Sequence, residues 1–187
     1  MAVSKSQVRI IGGSFRGRKL SVVDAIGLRP TPDRIRETLF NWLAADCRGA
    51  GVLDCCAGTG VLGLEALSRG AASLVAIESN TVAARALEDA VDRLGGDGAR
   101  VIRGEALDAI TQLHDSFDIV FIDPPYAQPE MRQQLFERLD ARQLLAENVR
   151  IYFEWPAGEP FELPSDRLLF SRQKSAGQVN YAVAEWV

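Results

Sequence analysis

Val52-Leu53-Asp54-Cys55-Cys56-Ala57-Gly58-Thr59-Gly60-Val61-Leu62-Gly63 reads as a strand, a tight turn and the start of a helix. The opening run is apolar, the turn is rich in glycine, and Val61, Leu62, Leu64 and Leu67 recur beyond it at helical spacing. Gly58, Gly60 and Gly63 satisfy G-x-G-x-x-G, with the first glycine free to take φ > 0 and the second letting a ligand approach the backbone. A strand, turn and helix N-terminus in this order seat a polar or charged ligand group at the edge of a parallel sheet. The glycines alone serve a plain strand-to-helix turn equally well, so the surrounding residues must decide.

Working outward, strand-like segments at 51–55, 73–78, 100–103, 117–122, 149–154, 167–172 and 178–186 alternate with helix-like segments at 61–69, 80–94, 106–113 and 130–145. Strands alternating with helices predict an α/β fold with a parallel, doubly wound sheet. The last two strands follow one another without a helix, which predicts an antiparallel hairpin at one edge. Upstream, Val8-Arg9-Ile10-Ile11 and Arg18-Lys19-Leu20-Ser21-Val22 flank a glycine-rich basic loop and predict a small N-terminal β-hairpin. Phe15, between the glycines of that loop, serves either a base-stacking tip or a satellite hairpin that buries it.

A helix is predicted over 32–45, with Thr31 as its cap, Pro32 in the first turn and Asp33 facing the positive end. Its stripe of Ile35, Leu39, Trp42 and Leu43 is core, whereas Arg29, Arg34 and Arg36 near its start are free to meet a ligand. The whole chain, 1–187, reads as one domain with residues 1–30 as a basic hairpin extension.

The composition is that of an ordinary globular protein, 47% hydrophobic and 25% charged. No apolar run is long enough to span a bilayer, and the first residues lack a signal-peptide core. Cys47, Cys55 and Cys56 make no C-x-x-C pair and fit reduced thiols in a cytoplasmic protein. With His114 the only histidine, no zinc site is expected. The net charge of −4 hides an asymmetry: residues 1–36 hold eight Lys/Arg and two acids, while the remainder holds 13 basic and 23 acidic residues. A basic arm on an acidic body points to phosphate contact through one face.

Three features fall at C-terminal strand ends, where open α/β sheets bind ligands. The first is the Asp54/Gly58/Gly60 turn. Glu78 is the second, about 20 residues past the glycines, where an acid holds ribose hydroxyls; Ser79-Asn80 is left to cap the following helix. The third is Asp123-Pro124-Pro125-Tyr126, after Phe117-Asp118-Ile119-Val120-Phe121-Ile122. Two prolines end a strand cleanly and stiffen its exit. A rigid carbonyl, a carboxylate and an aromatic face can together hold a planar base by its exocyclic amine.

This set resembles the S-adenosylmethionine-dependent methyltransferases that act on amino groups. Arg9-Ile10-Ile11-Gly12-Gly13, Arg16-Gly17-Arg18-Lys19-Leu20, Leu28-Arg29-Pro30-Thr31, Asp33 through Leu43, Gly63 through Ala71 and Gly177-Gln178-Val179-Asn180-Tyr181 extend the resemblance to the RsmD family, bacterial 16S rRNA guanine-N2 methyltransferases. The resemblance implies a Rossmann-like class I sheet of seven strands. It implies S-adenosylmethionine contacts from Asp54, Ala57, Gly58, Gly60, Glu78, Ser79, Glu105, Ala106 and Asp123, with Glu105 departing from the Asp common in broader methyltransferases. It makes Asp123, Pro124, Pro125 and Tyr126 the catalytic loop, with Tyr126 stacking on the base. Arg16, Arg18, Lys19, Arg29 and Arg34 would hold the backbone of 16S rRNA within an assembled small subunit. A monomer is expected.

Three other readings stay open on the residues themselves. A nicotinamide dehydrogenase would use the same glycines, but leaves D-P-P-Y unexplained in a chain short of a second mononucleotide half. A non-catalytic RNA-binding assembly factor would not need Asp123 and Tyr126. An adenine-N6 methyltransferase shares the catalytic loop and differs only in the outlying motifs.

Overall fold

A computed structural model describes residues 7–23 and 31–187 of the chain. Two strands, β1 (Gln7–Arg9) and β2 (Lys19–Ser21), pair antiparallel as the expected hairpin. A helix, α1 (Asp33–Trp42), leads into the sheet, followed by β3 (Gly51–Asp54), α2 (Val61–Ser68), β4 (Ser73–Glu78), α3 (Thr81–Leu94) and β5 (Ala99–Arg103). A short helix α4 (Ala106–Ala109) tightens into a 3₁₀ turn at Ile110–Gln112 before β6 (Phe117–Ile122) and α5 (Met131–Ala141). The chain ends with β7 (Leu145–Pro156), β8 (Leu168–Ala176) and β9 (Val179–Trp186).

The sheet order is β5-β4-β3-β6-β7-β9-β8. Its first five strands run parallel, and β9 and β8 add the antiparallel edge hairpin. Side chains alternate between the faces with the period of two that a strand imposes. Val52, Leu74, Ala76, Ile119, Phe121 and Tyr152 pack beneath α1, α2, α3 and the hairpin. Leu53, Val75, Ile77, Val120, Ile122 and Phe153 pack beneath α4 and α5.

The boundaries depart from expectation in places with local causes. The last predicted helix stops at Ala141, not 145, because Gln143 adopts a left-handed φ of 57°. Bonds from Gln143 N to Asp140 O and from Leu144 N to Leu139 O then close the helix, and β7 starts at Leu145 rather than 149. At α1, Pro32 rather than Thr31 occupies the cap position, and no side chain caps the helix. Thr31 instead presents its carbonyl to Arg36 Nε at 3.1 Å. Trp42 leaves the α1 stripe to stack on Tyr181, ring centroids 5.4 Å apart, which ties α1 to β9. No helix of the described residues is long and apolar enough to cross a membrane.

The hairpin is fastened to α2. Buried Glu65 accepts from Ile11 N at 2.9 Å and Gly12 N at 2.7 Å, and pairs with Arg36 at 3.2 Å and Arg69 at 2.9 Å. Ser68 Oγ donates to Gly12 O at 2.5 Å and accepts from Phe15 N at 2.8 Å. Gly13, at φ 75°, lies so close to the Ser68 carbonyl that a Cβ there would sit 1.7 Å from its oxygen. Phe15 is half-buried against the core, so the satellite-hairpin reading of this residue holds over a free stacking tip.

Candidate active site

Strand order reverses at β3, which has β4 on one side and β6 on the other, and such a switch point opens a crevice beyond the C-terminal strand ends. The turn after β3 fills it. Gly60 is left-handed at φ 72° and heads α2, and Leu87 of α3 lies 2.2 Å from where a Cβ would stand. Ala57 N donates to Ile77 O at 2.8 Å, which moors the turn to β4.

Asp54 stands level with Ala76 of β4 and Phe121 of β6. It is buried and accepts from Gly63 N at 3.2 Å. Burial pushes its carboxyl up to about 7, against the pull of the Gly63 amide. Glu78 accepts from Gly58 N and from Asn80 N, each at 2.7 Å. Asn80, as expected, caps α3 by accepting from Val82 N and Ala83 N, both at 3.0 Å. Ser79 is exposed, Glu105 is exposed at the start of α4, and Ala106 is buried.

Asp123 follows β6 and is only partly exposed. Burial raises its carboxyl, and so do Glu154 and Asp54, while Arg132 opposes them. Cys56 marks where the acids converge: burial raises its thiol, followed by Asp54, Asp123, Glu78 and Glu105. Pro125 O closes a turn on Gln128 N at 2.9 Å, whereas Pro124 O accepts no hydrogen bond from the described residues. Tyr126 keeps 43% of its surface exposed, with its hydroxyl donating to Glu154 Oε1 at 2.6 Å.

Two neighbours of this loop escaped the sequence reading. Glu154, near the end of β7, also accepts from Tyr152 Oη at 2.7 Å. Arg132, buried on α5, donates from Nε to Glu154 O at 2.9 Å, and its Nη2 has no partner among the described residues. An acid at the end of a predicted strand was the available signal for Glu154; nothing in the helical pattern singled out Arg132.

The basic residues divide. Arg16, Arg18 and Lys19 are exposed on the hairpin, and Arg34 is exposed on α1. Arg36 is fully buried between Glu65 and Asp33, so it is an anchor of the hairpin and not free for a ligand. Arg29 lies outside the described residues. At the end of β2 and just beyond it, Ser21 and Val23 line a narrow cleft with Gly58, Thr59 and Leu87, so the strand that carries Lys19 ends beside the glycine turn.

A cluster of carboxylates, of which Asp54 and Asp123 have raised affinity for protons, beside backbone amides and an aromatic face, suits a cationic ligand next to a flat amine-bearing ring. Residues 8–185 match the family model described as "Conserved hypothetical protein 95". The chain is 42% identical over 175 residues to ribosomal RNA small subunit methyltransferase D of Escherichia coli K12, covering 94% of this chain and 88% of that one. The chain belongs to the RsmD family. The solved structure of yhhF from Escherichia coli superposes with a TM-score of 0.88 at 38% identity, over 97% of this chain and 98% of that one. SMU.776, solved in complex with SAH, shares the fold at a TM-score of 0.71 and 15% identity, over 99% of this chain and 57% of that one. The RsmD chain is thus an α/β enzyme with the methyltransferase sheet.

Proposed function

We propose that this protein methylates the exocyclic N2 amine of a guanine in 16S rRNA of the small ribosomal subunit, using S-adenosylmethionine. The observation that carries the reading is adjacency: the Asp54/Gly60 turn and the Asp123–Tyr126 loop leave neighbouring strands β3 and β6 on the same edge of the sheet. The family supports rRNA as the substrate. S-adenosylmethionine, when bound, supplies a methyl group on a positively charged sulfur, a good leaving group.

The donor set fits that molecule. Asp54 and Glu78 offer carboxylates to an ammonium and to ribose hydroxyls, the Ala57–Gly60 backbone lines the floor, and Ser79, Glu105 and Ala106 flank the far end. Asp123 and the free Pro124 carbonyl accept the two N–H groups of the target amine. Held this way, the amine is favoured in a pyramidal geometry as attack begins, which localises on nitrogen a lone pair otherwise delocalised into the ring and weakly nucleophilic. Two prolines keep both acceptors rigid, so positioning supplies most of the acceleration. The raised Asp123 carboxyl is also better matched to receiving the amine proton than an ordinary carboxylate. Tyr126 offers its exposed ring to the base, which must leave its stack to reach the pocket. Arg16, Arg18, Lys19, Arg29 and Arg34 hold phosphates.

Mass spectrometry of digested 16S rRNA from cells with and without this gene tests the reading. One N2-methylguanosine should vanish on deletion, return with the wild-type gene and stay absent with Asp123→Ala. Loss of an N6-methyladenosine instead would establish the adenine reading, and no loss at all would remove the enzymatic one.

A further inference from the structure

Four neighbouring strands, β4, β3, β6 and β7, each carry a carboxylate at the C-terminal edge: Glu78, Asp54, Asp123 and Glu154. The residues just before them, Ile77, Leu53, Ile122 and Phe153, all pack in one core. Alternation therefore turns the four acids to the opposite face. Ile122 pairs with Phe153, so Glu154 stands beside Asp123 at about one strand spacing, near 4.8 Å. The function proposed above uses the first three acids and leaves Glu154 without a role.

The two oxygens of Glu154 are held differently. Oε2 is bound by Tyr152, a fully buried side chain of the same strand, whereas Oε1 is bound by Tyr126, which is partly open to solvent. Oε1 is thus one exposed side chain away from the pocket mouth. Next to it, Arg132 is 4% exposed, donates through Nε to the Glu154 carbonyl, and keeps Nη2 without a partner among the described residues. A buried donor left unpaired has lost its water without a replacement, so it marks a place where an acceptor is missing.

The edge of guanine presents, in order, the N2 amine, the N1–H donor and the O6 acceptor. Asp123, Glu154 and Arg132 supply acceptor, acceptor and donor. Adenine presents an unprotonated N1 and an amine in place of O6, so it would meet a carboxylate lone pair to lone pair and a guanidinium donor to donor. We propose that Glu154 is a specificity-determining residue, accepting the guanine N1–H on Oε1 as the Tyr126 hydroxyl gives way, with Arg132 donating to O6. This assignment rests on the guanine reading above and removes its ambiguity about adenine.

The test uses small subunits reconstituted with 16S rRNA carrying guanine or 2-aminopurine at the methylated position. 2-Aminopurine keeps the N2 amine but has neither the N1 proton nor O6. Wild-type protein should prefer guanine by at least about tenfold in kcat/KM, the discrimination of one good paired contact. Glu154→Gln should lose about ten- to a hundredfold on guanine and much less on 2-aminopurine, because its amide can turn an N–H toward the bare N1. Its affinity for S-adenosylmethionine, measured by equilibrium binding, should stay within about threefold, which also reports that the variant folds. An equal loss on both bases would make Glu154 a structural residue and overturn the proposal. So would a wild-type protein indifferent to the two bases, a result that needs no variant. Wild-type protein that leaves guanine particles unmethylated would remove the guanine reading itself and this assignment with it.

Discussion

Glu65 on α2 and the acids at the strand ends are built on opposite plans. Glu65, under the hairpin, is wholly buried yet surrounded by two guanidinium groups and two backbone amides. Asp54 and Asp123, at the strand ends, have carboxyls pushed up first by burial and then by neighbouring acids, Glu78 for Asp54 and Glu154 and Asp54 for Asp123. The first cluster is complete within the chain. The second is short of positive charge and of hydrogen-bond donors, which an S-adenosylmethionine sulfonium and ammonium and the N–H groups of a base would provide. A buried charge satisfied by its own protein holds the fold, while one left unsatisfied is available to a ligand, at some cost in stability.

If that contrast is right, the largest effect lies at the complete cluster. Glu65→Ala strands Arg36 and Arg69 and frees the amides of Ile11 and Gly12, so it should lower stability by about 3–5 kcal/mol, read from urea midpoints. A loss below about 1 kcal/mol would break the comparison, since Glu65 would then be no anchor.

Asp54 should behave in the opposite sense. Its folded carboxyl titrates at about 7, above the ordinary 3.8, so the fold holds that proton more tightly than the unfolded chain does. Stability from this group is therefore fully present below about pH 4 and declines as pH rises toward 7. Between pH 5 and 8 the ligand-free protein should lose about 2–3 kcal/mol that Asp54→Asn does not lose, since Asn keeps an acceptor for Gly63 N without the charge. The same variant should bind S-adenosylmethionine more weakly. Denaturation at both pH values checks the first expectation and calorimetry the second. A variant less stable than wild type at pH 8 would mean that Asp54 supports the fold as Glu65 does.

The same contrast governs what could be read before the structure. Strand ends are legible because alternation and turn residues mark them, so Asp54, Glu78 and Asp123 were found together with their strands. Glu154 ends a predicted strand too, but the Trp155-Pro156-Ala157-Gly158 stretch beyond it reads only as a surface loop and matches no ligand-binding motif. Arg36 was misread because sequence shows a cation near a helix start and not the acid 29 residues later that buries it. Arg132 was invisible for a similar reason: its partners, the carbonyls of Glu154 and Pro129, are backbone groups that no side-chain pattern announces. Long-range polar partnerships of this kind are specified by the packing of elements, not by local spacing.

The smallest effects belong to the exposed cations of the hairpin, and they separate holding the RNA from acting on it. Arg16, Arg18 and Lys19 stand in solvent, so replacing one with Ala removes no core contact and should change stability by less than about 0.5 kcal/mol. Each phosphate contact contributes roughly 0.7–0.9 to the slope of log affinity against log salt, through counterion release. Arg18→Ala should therefore weaken binding to small subunits at low salt and flatten that slope by about one contact. Asp123→Ala should leave the slope alone while abolishing methyl transfer, because the Asp123 carboxylate neutralises no phosphate. Were Arg18→Ala to reduce transfer at saturating subunits without touching the slope, the hairpin would act with the strand-end acids rather than as the proposed phosphate-holding arm.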